Sequence, residues 1–130
     1  MSRKLVCAVD FDATLVRVDK HYNIIELMPN AKEVVNWAHN KGCIIIIWTC
    51  RADKILKKAI DFLDKNDVKY DFVNENFKEV NFKTSRKIFY DILIDDKNIG
   101  IDINWLEFKK LIAKKIMTRL AEQIEEKANV

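Results

Sequence analysis

The run Cys43-Ile44-Ile45-Ile46-Ile47-Trp48 most limits what this chain can fold into. An apolar stretch with no polar alternation cannot lie on a half-exposed surface. It reads as a strand buried on both faces, the habit of central strands in parallel sheets. Parallel strands need long crossovers, usually helices, and the flanking sequence supplies them. Asn30 is placed to cap a helix, with Glu33 completing a capping-box pattern. Val34, Val35 and Ala38 give that helix its apolar face, and Lys41-Gly42 ends it. Beyond Trp48, the residues Leu56, Ala59, Ile60 and Leu63 recur at helical spacing and predict a second helix over about 53–65.

Further apolar runs predict strands over residues 4–9, 71–73 and 91–94, with a short fifth over 100–103. Alternating strands and helices imply right-handed βαβ units. The expected fold is a three-layer α/β/α, Rossmann-like domain with a mainly parallel sheet, spanning residues 1–130. Only two glycines and one proline are present, so long irregular insertions are not expected. Two stretches nevertheless lack periodicity, 15–28 and 73–84. From about 104 to 126 the pattern is one long helix. Leu106, Leu111, Ile112, Ile116, Leu120 and Ile124 are expected to form a single stripe, with most lysines off it. That stripe would dock on the sheet; the alternative is a dimerisation helix, so monomer and homodimer both stay open.

Composition narrows the function classes. A net charge of +3 is small for this length and gives nucleic-acid binding only weak support. No apolar run approaches the ~20 residues of a membrane span, and the start of the chain does not read as a secretory signal. Cys7, Cys43 and Cys50 form no C-x-x-C pair and read as reduced thiols, Cys50 alone lying at a strand end. The expected location is the cytoplasm.

The chemistry-bearing residues gather at strand ends. The first apolar run leads into Asp10-Phe11-Asp12-Ala13-Thr14, the second into Thr49-Cys50-Arg51, and the 91–94 run into Asp95-Asp96-Lys97. Ligands of open α/β sheets bind at the carboxyl ends of strands. Converging there, these groups would place about four carboxylates in one crevice. Clustered carboxylates repel unless a cation compensates, and hard oxygen donors suit Mg²⁺. A carboxylate nucleophile, a cation and donors for phosphate oxygens are the equipment of phosphoryl transfer.

Asp10-x-Asp12-x-Thr14, Thr49 after a strand, Lys87, and Asp95-Asp96 after another strand together resemble the haloacid dehalogenase superfamily. The details around Thr49 and Asp96 are similar to its small branch with minimal or no cap, found as short bacterial or phage proteins. The resemblance implies a Mg²⁺-dependent phosphomonoesterase. Asp10 would be the nucleophile forming an aspartyl-phosphate, and Asp12 the general acid and base. Thr49 would bind the phosphate and Lys87 would balance charge, with Lys83 as the alternative lysine. Phe11, Thr14, Cys50 and Arg51 would line the substrate site, although Arg51 also reads as a solvated side chain. Asp10, Asp12, Asp95 and Asp96 would hold the metal, Asp96 being favoured over Asp95 as direct ligand. Ala13 departs from the pattern, standing where the family usually has glycine. His21 and Tyr22, in the short stretch after the acids, are candidates for substrate contact. The substrate would be a phosphorylated small molecule or a macromolecular end. Two other classes remain: a receiver-like phospho-acceptor domain, and a non-catalytic binding protein on a phosphatase fold.

Overall fold

A computed structural model describes residues 3–129. In chain order the elements are β1 (Val6–Val9), β2 (Val16–Val18), β3 (Ile24–Leu27), α1 (Ala31–Asn40), β4 (Ile44–Ile47), α2 (Asp53–Lys65), β5 (Phe72–Val73), β6 (Ile92–Ile94) and α3 (Trp105–Ala128). Four strands form one sheet in the order β5-β4-β1-β6, every pairing parallel. All residues of β1 and β4 are buried, as their unbroken apolar runs require. The expected strand over 100–103 does not form.

The two faces of the sheet are covered differently. Cys7, Val9, Ile45 and Ile47 share one core cluster with side chains from α1, α2 and α3. Val6, Ala8, Ile44 and Ile46 pack on the other face against Phe77 and Ile88, from the segment between β5 and β6. Topology explains the asymmetry. The crossovers β1–α1–β4 and β4–α2–β5 advance in one direction across the sheet. A uniform right hand therefore sets both helices on one face. The connection from β5 back to β6 crosses the other way and covers the opposite face. The architecture is thus a Rossmann-like, three-layer α/β fold whose third layer is irregular chain.

The irregular stretch expected over 73–84 extends to the start of β6, longer than so few glycines suggest. Side chains hold it instead: Asn76 donates to Thr84 Oγ1 and accepts from the Phe89 N–H at 2.7 Å. Asn74 supplies a positive φ of 54° where a glycine would be the usual choice.

Helix ends also differ from expectation. Asn30 stands at the N-cap of α1 in the left-handed region, φ 63°, and its side chain makes no capping hydrogen bond. A true cap residue needs extended backbone to aim its side chain at the first turn, so the capping box is not built. α2 matches its expected bounds. In α3 the single apolar stripe splits. Trp105, Phe108 and Ile112 are buried, whereas Leu106, Leu111, Leu120 and Ile124 are exposed. Among the described residues no helix is long and apolar enough to cross a membrane.

Candidate active site at the carboxyl ends of β1 and β6

β1 lies between β4 and β6, where the direction of the crossovers reverses, and such a switch point opens a crevice at the strand ends. Asp10 follows β1 directly, and its N–H donates to Ile94 O at 2.9 Å, locking the ends of β1 and β6 together. The chain then turns tightly, with the carbonyl of Phe11 accepting from the N–H groups of Thr14, Leu15 and Val16. This turn needs Ala13 at φ 62°. Glycine takes that conformation without penalty, and a Cβ there costs about 1 kcal/mol. Alanine at this position therefore leaves the turn intact at an energetic cost. The turn leads into the antiparallel hairpin β2–β3, whose residues His21, Tyr22, Asn23 and Ile24 line one side of the crevice.

Asp10, Asp95 and Asp96 each present a carboxylate oxygen within 4.8 Å of the others. Thr14 Oγ1 buttresses the group: it lies 3.0 Å from Asp10 Oδ2 and 3.2 Å from Asp96 Oδ1, and accepts from the Asp96 N–H at 3.0 Å. A hydroxyl has a single hydrogen to give, so Thr14 cannot satisfy both acids. Burial, and next the negative charge of Asp95, push Asp10 up to about 7. The hydrogen bond from Thr14 offsets this only in part. A small, hard divalent cation suits three convergent carboxylate oxygens lacking an adjacent guanidinium.

Asp12 lives differently. Arg51 Nε lies 3.1 and 3.0 Å from its two oxygens, and Arg51 Nη2 donates at 2.7 Å. The same guanidinium donates to Tyr22 O at 2.7 Å and to Ile55 O at 3.2 Å. Arg51 is only 6% exposed, and its Cζ sits 5.1 Å from the centroid of the Phe11 ring. A cleft of about 730 Å³ opens above these groups, lined among others by Asp10, Asp12, Asp96, Tyr22, Lys58 and Lys97.

The expected site residues divide into three groups. Asp10, Asp12, Asp96, Cys50 and Arg51 line the cleft, as do His21 and Tyr22, and Asp95 joins the carboxylate cluster. Asp12, however, gives its side chain to Arg51 and stands outside that cluster. Arg51 is neither solvated nor simply a substrate contact; it positions Asp12. Thr49, two residues beyond β4, borders the site next to Cys50 without itself lining the cleft; it accepts from the Arg51 N–H at 3.1 Å, and Asn74 clasps its backbone on both sides. Phe11 and Thr14 are fully buried, so their side chains support the site from below without lining it.

Lys87 is not brought to the site. It is exposed, with Nζ 5.3 Å from the Tyr90 ring centroid. It precedes Asp91, which pairs with Val6 at the amino ends of β6 and β1, so strand β6 separates it from Asp95. Lys83 also lies outside the cleft lining. The ammonium groups that do face the cleft are Lys58 and Lys97, the latter 4.0 Å from Asp96 Oδ2. Sequence reasoning gave them no role. Lys97 was flagged only by following Asp95-Asp96. Lys58 sits off the apolar face of α2 and carried no signal beyond that.

No protein-family model and no curated protein matches the chain. Among solved structures, a Bacteroides thetaiotaomicron protein described as a conserved protein coded by a locus is similar, at 28% identity and a TM-score of 0.77. The match covers 87% of this chain and 93% of that one. Its description names no activity.

Proposed function

We propose that this chain is a Mg²⁺-dependent phosphomonoester hydrolase of haloacid dehalogenase type, working through an aspartyl-phosphate on Asp10. The observation that carries this reading is the pairing of two unlike acids at one strand end. Asp10 belongs to a carboxylate cluster whose one ion pair among the described residues is the long, exposed contact of Lys97 with Asp96, while Asp12 is held by a guanidinium over the same cleft. Asp10, Asp95 and Asp96 would hold the cation, which supplies charge neutralisation for the cluster and for phosphate oxygens.

In the forward step an Asp10 oxygen attacks phosphorus and the ester oxygen leaves. Asp12 gives that oxygen a proton. In the second step Asp12 takes a proton from water, which attacks the phosphoryl group and returns Asp10. A carboxylate with both oxygens on Arg51 has the form that accepts a proton from water. To protonate a leaving group it must turn away from Arg51. The Asp12–Arg51 pairing is thus compatible with the hydrolytic half-reaction of this proposal. Thr49 Oγ1, an acceptor toward the Arg51 N–H, still has its hydrogen to offer a phosphate oxygen. Lys58 and Lys97, in place of Lys87, add positive charge around the incoming phosphate.

The hairpin beside the cleft is short, so the cleft admits a phosphorylated small molecule or a macromolecular end alike. Free thiols at Cys7, Cys43 and Cys50 suit a reducing cytoplasm. The decisive experiment is turnover of p-nitrophenyl phosphate with Mg²⁺. Asp10→Asn is expected to lower kcat by about 10³-fold or more with the circular-dichroism spectrum unchanged. Full activity in that variant would sink the assignment.

A further inference from the structure

We propose that the distal half of α3 pairs antiparallel with the same segment of a second copy of this chain. The argument begins with the split stripe. Trp105, Phe108 and Ile112 hold the first half of α3 on the sheet, and α1 flanks it there, with Lys109 Nζ 5.2 Å from the Trp37 ring centroid. Further along, Met117, Leu120 and Ile124 are 66%, 49% and 68% exposed. With Ala113 they follow a 4-3-4 spacing. On a helix of about 3.6 residues per turn that spacing makes one straight seam, the pattern of a coiled-coil interface. Lys110 and Lys127 continue the spacing at either end and stop the apolar seam.

Charge chooses the occupant and its direction. Lys109, Lys110, Lys114, Lys115 and Arg119 make the middle of α3 basic, and Glu122 and Glu125 make its end acidic. A parallel copy would stack each block on its own kind, at a cost. An antiparallel copy sets Lys114 and Lys115 against the acidic end of its partner, with one like-charge layer, Lys110 opposite the partner's Lys127, closing the seam at each end. It also layers Ala113 against the partner's Ile124 and Met117 against the partner's Leu120, a small residue facing a branched one and a flexible one facing another. The arrangement is isologous, so both halves of the seam are used twice and the assembly closes as a dimer. Beside the seam Lys114 then meets the partner's Glu125. Neither side chain has an ion-pair partner among the described residues. About three turns of helix bury less than the roughly 800 Å² per partner of a standard interface, so the dimer belongs to the transient class.

Sedimentation velocity on the full chain over about a hundredfold range of concentration tests this. Wild type is expected to pass from monomer to dimer. Leu120→Glu is expected to stay monomeric throughout, with its circular-dichroism spectrum unchanged. Lys114→Glu and Glu125→Lys should each weaken association about fivefold, while the double variant returns to within about twofold of wild type. Residues 114 and 125 lie about three turns apart on one helix, so rescue cannot arise within a chain. A wild type that remains monomeric overturns the proposal, as does a dimer indifferent to Leu120→Glu. Failure of the double variant to recover overturns the antiparallel direction.

Discussion

β6 has aspartates ahead of it and behind it, and they live in opposite circumstances. Asp91, just before the strand, takes two hydrogen bonds from Arg3 at 2.6 and 2.8 Å and one from the Val6 N–H at 2.7 Å. Asp71, just before β5, repeats the device. It accepts from the Ile45 N–H at 2.7 Å and has His39 Nε2 at 3.2 Å. Each of these carboxylates bridges an edge strand to its central neighbour at the amino end. At the carboxyl end, Asp10, Asp95 and Asp96 meet chiefly one another. The titration behaviour separates accordingly. Burial opposes ionisation of Asp91, but the Arg3 guanidinium and the Val6 N–H outweigh it and hold the carboxyl below its ordinary value. Asp10, with burial and like charge acting together, moves the other way. The same residue type at a strand end is glue where donors surround it and a candidate reaction centre where acids do.

The comparison breaks most readily at Asp91. Asp91→Ala strands the Val6 N–H and the Arg3 guanidinium, and is expected to cost about 2–3 kcal/mol. The readout is the urea midpoint, and turnover of an aryl phosphate should hold at wild-type level in the folded protein. A loss below about 0.5 kcal/mol would mean that the amino-end aspartates are ornamental. Asp10→Asn should go in the opposite direction. In metal-free buffer near neutral pH it removes a charge the cluster resists, for a gain on the order of 1 kcal/mol after solvent screening. Excess Mg²⁺ should stabilise wild type and reverse that order; thermal melts with and without the cation decide it. The smallest effect is in acid. The folded Asp91 value lies below 3.8, so its contribution is complete above about pH 5 and drains as pH falls through the folded value. Between about pH 5 and pH 2, wild type should lose more stability than Asp91→Ala, read as a steeper fall of the urea midpoint with acid. Parallel curves would show that the Arg3 pair adds nothing.

Much of this was legible in the amino-acid sequence, and the rest was hidden for identifiable reasons. The unbroken run 43–48 announced a central parallel strand because only two-sided burial tolerates it. The strand-end acids announced a site because no structural need explains so many at one edge. The hairpin β2–β3 carries little signal because its strands are only three and four residues long and form a two-stranded sheet of their own. The α3 stripe read as continuous because periodicity cannot tell a face docked on the sheet from one left open. The placement of Lys87 was a different matter. In a parallel sheet the residues before a strand lie at its amino end, and three strand residues alone span roughly 10 Å. Geometry already argued against bringing Lys87 to Asp95.

Arg51 fastens three separate parts of the chain with one planar group: the acid after β1, the tip of the hairpin at Tyr22, and the first turn of α2 at Ile55. The mouth of the cleft therefore has a gauge set by a single rigid side chain. In the proposed mechanism Asp12 would turn away to serve a leaving group, and the bonds from Arg51 to Tyr22 and Ile55 would hold the opening at the same width. The width of the entrance would thus be set by a spacer that stands outside the proposed chemistry.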